Sequence, residues 1–196
     1  MPAFKNRIGF SLLVILAGTC LWEFYARPAT GPIFAAAVSE YRNHNYRHSL
    51  QLLDRAYQID PNNASVLTLM GWDNLKTRRP DRALEEFSRA HRLAPDSADA
   101  ILGYADTEIT LEHYGRASKL LRLIDHERDD SADLDMAWGD LYQLTGRNQK
   151  AAREFERVLA LRHNDRLALE NLRELEALNG AASPVGLRPG GNWRTR

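Results

Sequence analysis

Shifting this chain against itself by 34 residues brings like onto like, and a fixed period of that length leaves few folds open. Pro61 returns as Pro95. Ala83 falls on Ser49, Ala117 and Ala151, and Phe87 on Leu53, Leu121 and Phe155. Ala90 falls on Ala56, Ile124 and Val158, and Gly71 on Ala37, Ala105 and Gly139. Four units fit without an insertion: 30–63, 64–97, 98–131 and 132–165. No such unit can bury an apolar face alone, so neighbours must stack to make a core.

The second unit shows the design most fully. From Ala64 to Asp96 two helix patterns meet at Thr77-Arg78-Arg79-Pro80. The first carries Leu67, Met70, Gly71 and Asn74; the second carries Ala83, Phe87 and Ala90 and stops before Pro95. This resembles the tetratricopeptide pattern W-x2-L-G-x2-Y, A-x3-F, P, with Leu67 at the Trp site and Asn74 at the Tyr site. The third unit departs with Ala105 for Gly, Leu121 for Phe and the charged run 125–130 in place of Pro. The fourth keeps Gly139, Tyr142, Ala151 and Phe155, and the first keeps mainly Ala36, Ala37, Leu53, Ala56 and Pro61. The resemblance implies an all-α fold: a right-handed superhelical solenoid of about four helix-turn-helix repeats closed by a capping helix.

The residue types have physical reasons. Glycine inside a helix costs about 1 kcal/mol against alanine, a cost offset where a partner packs on the bare backbone. Gly71 and Gly139 are such positions, Ala83 and its equivalents face the same contact, and Phe87 and Phe155 are expected to fill the space between neighbouring units. Helix pairs are predicted at 33–44 and 47–59, 64–77 and 81–94, 98–111 and 115–127, and 132–145 and 149–162. Gly31-Pro32 starts the first. Asp165 is expected to cap a last helix over 166–178, ended by Asn179-Gly180. Leu169, Leu172, Leu175 and Leu178 form its apolar face. The array thus spans 32–180, and the Pro- and Gly-rich tail 181–196 reads as disordered.

Composition removes other classes. Lys plus Arg and Asp plus Glu are 26 each, so nothing points to nucleic acid. One cysteine excludes an internal disulfide. His44 and His48 are four apart but straddle a turn, which reads as solvated rather than metal-binding. There is no nucleophile–base pair, phosphate loop or acidic metal box. No enzyme activity and no cofactor are therefore expected.

The amino-terminal region is of another kind. Residues 1–7 carry Lys5 and Arg7 and no acid, and 8–26 are mostly apolar, with Trp22, Phe24 and Tyr25 resembling an aromatic belt. Three readings stay open. An uncleaved transmembrane anchor is favoured, because no A-x-A cleavage site follows. The others are a cleaved signal peptide and lipidation at Cys20, although the lipobox-like Leu16–Cys20 is one residue out of register. The positive flank predicts a cytoplasmic amino terminus and repeats outside, in a bacterium the periplasmic side of the inner membrane. The linker 27–31 would hold the array close to the bilayer.

In the resembling family the first helix of each pair lines a concave groove. Carried over by register, one row is Val38, Trp72, Asp106 and Asp140. A neighbouring row is Tyr41, Leu75, Ile109 and Gln143, beside Arg42 and Lys76, and a third is Phe34, Thr68, Leu102 and Met136. The groove would be apolar and aromatic at one end, with Arg42 and Lys76 as cations, and acidic at the other through Asp99, Asp106, Asp133 and Asp140. Trp72 is the expected hot spot; its alternative is lateral packing between first helices. The resemblance implies a non-catalytic adaptor that docks a protein or peptide segment during assembly of an envelope complex, with homo-oligomers possible. Two other readings remain: a subunit recruiting or regulating a separate enzyme, and a carbohydrate-binding array in polysaccharide export.

Overall fold

A computed structural model describes residues 30–124 and 131–181. Among them every regular element is an α-helix: α1 (Thr30–Arg42), α2 (Tyr46–Ile59), α3 (Ala64–Lys76), α4 (Pro80–Leu93), α5 (Ala98–Thr110), α6 (Tyr114–Leu121), α7 (Ala132–Leu144), α8 (Asn148–Leu161) and α9 (Arg166–Ala181). They form two compact units, one through Leu93 and one from Ala94. The first holds the pairs α1/α2 and α3/α4; the second holds α5/α6, α7/α8 and α9.

The 34-residue period governs both ends of the first helices. Asn63, Ser97 and Ser131 cap α3, α5 and α7, their side-chain oxygens accepting from Val66, Ala100 and Leu134 N–H. Asp165, the next residue in register, accepts from Leu167 and Ala168 N–H at 3.1 Å and starts α9 in the same way. At the other end His44, Arg78, Glu112 and Gly146 have φ of 62°, 60°, 62° and 73°. Each turn is closed by a bond reaching back five residues: Asn45 N–H to Glu40 O, Arg79 to Asn74, His113 to Glu108 and Arg147 to Tyr142. This is the Schellman geometry, which satisfies the last carbonyls of a helix and needs a left-handed residue after it. Three of the four repeats place a non-glycine residue there.

Within each pair the core is a size exchange. Ala37 accompanies Leu53 and Ala105 accompanies Leu121, whereas Gly71 accompanies Phe87 and Gly139 accompanies Phe155; all of these are buried. A Cβ on Gly71 would lie 2.7 Å from the Phe87 ring, and one on Gly139 2.7 Å from Cδ1 of Phe155. The phenylalanines were expected to fill space between units; each instead lies first on the glycine of its own pair. Phe155 also joins a cluster with Ala132, Val158, Ala168 and Leu175 that ties α9 to the fourth repeat.

Several helix bounds differ from expectation, and α1 runs from Thr30 to Arg42 rather than over 33–44. Helix α6 ends at Leu121 rather than 127, and the chain leaves it through short i+3 bonds from Leu123 and Ile124 N–H. Ile124 is nevertheless buried, so the core position outlasts the helix. The capping helix passes Asn179-Gly180 and runs to Ala181. On it Ala168 and Leu175 are buried, while Leu178 is 53% exposed and leaves the apolar face. The segment 8–26, with Cys20, the linker 27–29 and the tail from 182 lie outside the described residues. Among the described residues no helix is long and apolar enough to cross a membrane.

Candidate docking surface on the first helices

In the first unit the expected groove residues lie on α1 and α3. Phe34, Val38 and Tyr41 are half-buried against a cluster of Ala37, Leu53, Ala56, Val66, Leu69 and Met70. Trp72 is half-buried and meets Phe87 of α4 edge-on, ring centroids 5.2 Å apart at 79°. Its ring thus leans on the second helix of its own pair. Leu75 is half-buried, and Arg42 and Lys76 are exposed. Thr68 is buried, and its hydroxyl donates to Ala64 O at 2.9 Å, one turn back on its own helix. What remains accessible is a mixed strip: aromatic and aliphatic edges with one arginine and one lysine head beside them.

In the second unit the corresponding residues are more engaged. Asp106 and Ile109 are half-buried, Leu102 is buried, and Met136 packs on the cluster shared with α9. Asp140 Oδ1 accepts from Asn171 Nδ2 at 3.2 Å, and Gln143 Nε2 donates to Glu174 at 3.2 Å. Both contacts step 31 residues, from α7 to α9. Helix α9 therefore stands where another first helix would stand. It turns Asp140 and Gln143 into a seam rather than an open acidic end. Burial raises the Asp140 carboxyl to about 6, with the Asn171 hydrogen bond opposing. Asp133 is held bidentately by Arg162 at 2.9 and 3.0 Å.

Three buried acids escaped the sequence reading. Asp73 is fully buried, and neither carboxylate oxygen has a hydrogen-bond partner. Nearby Ser49 donates instead to Ala37 O at 3.1 Å. Burial is the larger influence on the Asp73 carboxyl and pushes it up to about 6. Glu108 is buried with Oε2 2.7 Å from His113 Nδ1 and Oε1 3.7 Å from Arg116. Asp135 is buried 3.7 Å from Arg157. The signal that finds Glu108 is the period: Glu40 occupies the same register, takes a 2.9 Å bond from Asn45 and lies 3.3 Å from His48. Among the described residues no group of three His, Cys, Asp or Glu side chains gathers as a metal site.

Comparison with known proteins agrees with this geometry. Residues 74–138 match the tetratricopeptide repeat family. No curated protein matches the sequence. Similar solved structures include PilF of Pseudomonas aeruginosa, at TM-score 0.66 and 17% identity over 78% of this chain and 69% of that one. They also include MamA, at 0.60 and 17% over 77% and 82%, and YrrB, at 0.59 and 17% over 84% of each. At such identities the likeness establishes the fold. Residues 74–138 thus carry the tetratricopeptide repeat match, and the fold around them is the one these solved neighbours share.

Proposed function

We propose that the chain is a non-catalytic adaptor that docks a segment of another protein on the first-helix face of its amino-terminal repeats. The tetratricopeptide fold is consistent with a protein–protein interaction scaffold. The observation that carries the reading is the strip on α1 and α3, where Tyr41, Trp72 and Leu75 stay half-exposed beside Arg42 and Lys76. Large aromatics with apolar bodies and charged neighbours are the residue types that dominate binding energy. YrrB is described as a tetratricopeptide protein with an unusual peptide-binding site, and Cut9 is known in a complex with Hcn1. Both fit a protein ligand for this array. The carboxyl-terminal repeat is a poorer candidate, since α9 occupies Asp140 and Gln143.

The apolar segment 8–26 supports a tether at a membrane, with the basic flank of Lys5 and Arg7 keeping the amino terminus in the cytoplasm. On this reading the array works outside the cytoplasm in assembly of an envelope complex. Crosslinking the full chain in its native membrane, with and without Trp72→Ala, tests the docking surface. A partner held by the strip is lost with an affinity drop of roughly thirtyfold or more. Full retention by a Trp72→Ala protein shown to be folded by circular dichroism would rule the strip out. A reporter active only outside the cytoplasm, fused after Gly180, tests the orientation; activity solely from a cytoplasmic reporter overturns it.

A further inference from the structure

The turn between the paired helices sets three positions of each repeat close along the backbone, and in the second repeat all three border an open cleft. The five-residue bond of each turn sets residue 40, 74, 108 or 142 beside residue 45, 79, 113 or 147. Residue 48, 82, 116 or 150, one turn into the second helix, completes the group. In the first repeat the acceptor is Glu40, met by Asn45 and His48. In the third it is Glu108, met by His113 and Arg116. In the fourth the Tyr142 ring fills the place, with Lys150 Nζ 5.5 Å from its centroid. Each of these repeats supplies its own electron-rich partner for the cations of the turn.

The second repeat has Asn74 in this place and an arginine at both other positions, Arg79 and Arg82. Asn74 is shorter than glutamate or tyrosine and carries no charge. A cleft of about 410 Å³ opens here, bordered by all three residues and by Leu50, Met70 and Asp54. Among the described residues neither arginine forms an ion pair, although Glu85 and Glu86 also border the cleft. We propose that this cleft is a second binding site, in which Arg79 and Arg82 receive an acidic side chain from a protein segment in the place that glutamate holds in the first and third repeats.

Arginine suits this role, because its planar fork binds carboxylates through paired, charge-assisted hydrogen bonds. The bordering acids shape the ligand. Asp54, Glu85 and Glu86 repel a free diacid or a run of acids, and match a single carboxylate followed along the chain by a cation. Glu86 Oε2 is sealed from solvent without a hydrogen-bond partner, and burial raises its carboxyl, with the Arg89 charge opposing. The site is built from the helix-pair turn and the second helices α2 and α4, with only Met70 and Asn74 from α3. It is therefore separate from the Trp72 strip and stands or falls without it.

The substitution that tests the site is Asn74→Glu, which restores the partner two other repeats already have. Full-length protein is titrated with acetyl-Gly-Glu-Gly-amide, its lysine counterpart and free glutamate, following the Nε–H resonances of Arg79 and Arg82. The glutamate peptide is expected to move both signals, the lysine peptide neither, and Asn74→Glu to weaken the peptide by roughly tenfold or more. Trp72→Ala should leave that affinity unchanged. No movement with the glutamate peptide, equal movement with the lysine peptide, or unchanged affinity in Asn74→Glu overturns the proposal. Tighter binding of free glutamate than of the peptide overturns the protein ligand, and loss in Trp72→Ala assigns the peptide to the strip instead. Should Asn74→Glu fail to fold, Arg79→Gln/Arg82→Gln decides: retained affinity refutes the site, and loss supports it.

Discussion

Phe87 lies on Gly71 so closely that a single added methyl would stand 2.7 Å from its ring. The helices of the second pair approach at this point because one presents bare backbone and the other a flat ring. Gly71→Ala gains about 1 kcal/mol of helix propensity, but overpacking costs about 1–3 kcal/mol. A net fall in melting temperature is expected. Gly71→Ala with Phe87→Leu, the combination already present at Ala37 and Leu53, should recover most of it. Thermal melts of the three proteins check this; additive losses would show that the two residues do not share one contact.

Asp73 predicts a pH dependence of stability. Its carboxyl is raised from 3.8 to about 6 by burial, so the folded protein holds the proton more tightly than the unfolded chain. Stability from this group is then greatest below pH ~4 and is lost as pH rises through about 6. Thr107 shows the alternative in the same register, buried with its hydroxyl donating to Gly103 O at 2.7 Å. Asp73→Thr should therefore stabilise by about 1–3 kcal/mol at pH 7.5 and by much less at pH 4. Urea unfolding at the two pH values measures the difference; equal effects would mean that Asp73 binds its proton equally tightly in the folded and unfolded chains.

Asn171 holds the capping helix to Asp140. Removing the amide leaves a half-buried carboxylate without that donor, at a cost of about 1–3 kcal/mol. Asn171→Ala should speed amide exchange in α9 more than in α3 and α4. It should also raise the Asp140 carboxyl further above the usual carboxylate range, since the lost bond was the contact lowering it. Uniform acceleration across all the helices would show that α9 does not open by itself.

Arg78 has φ 60°, where only the fourth repeat, with Gly146 at 73°, uses glycine. Arg78→Gly relieves the left-handed backbone and adds freedom to the unfolded chain, two effects of opposite sign. The first is larger at a Schellman turn, so a gain of about 0.5–1 kcal/mol is expected. Chemical denaturation with an unchanged m-value checks it. Gly146→Ala should lose a comparable amount.

By itself the sequence determined the fold, because a period reports on contacts that every unit repeats. Pro61 and Pro95, Gly71 and Gly139, Ala83 and Phe87 each recur where one unit must meet itself or its neighbour, so their spacing named the helix pairs and most of their ends. Even Asp165 was legible as a cap, since it obeys the same count. Only the tertiary structure decided which side chains are free. Asp140 sits in the expected groove row, yet it is bonded to Asn171 of α9, which covers the last first-helix face. Thr68 looked like a ligand contact and turned its hydroxyl to its own backbone. Asp73, which no motif singles out, is fully buried. The exposure of a side chain depends on which neighbour stands opposite and how long that neighbour is, and a repeat count does not carry that length. Asn74 shows the same limit: its place in the period was evident, but that a short amide there leaves two arginines beside an open cleft is a fact of packing.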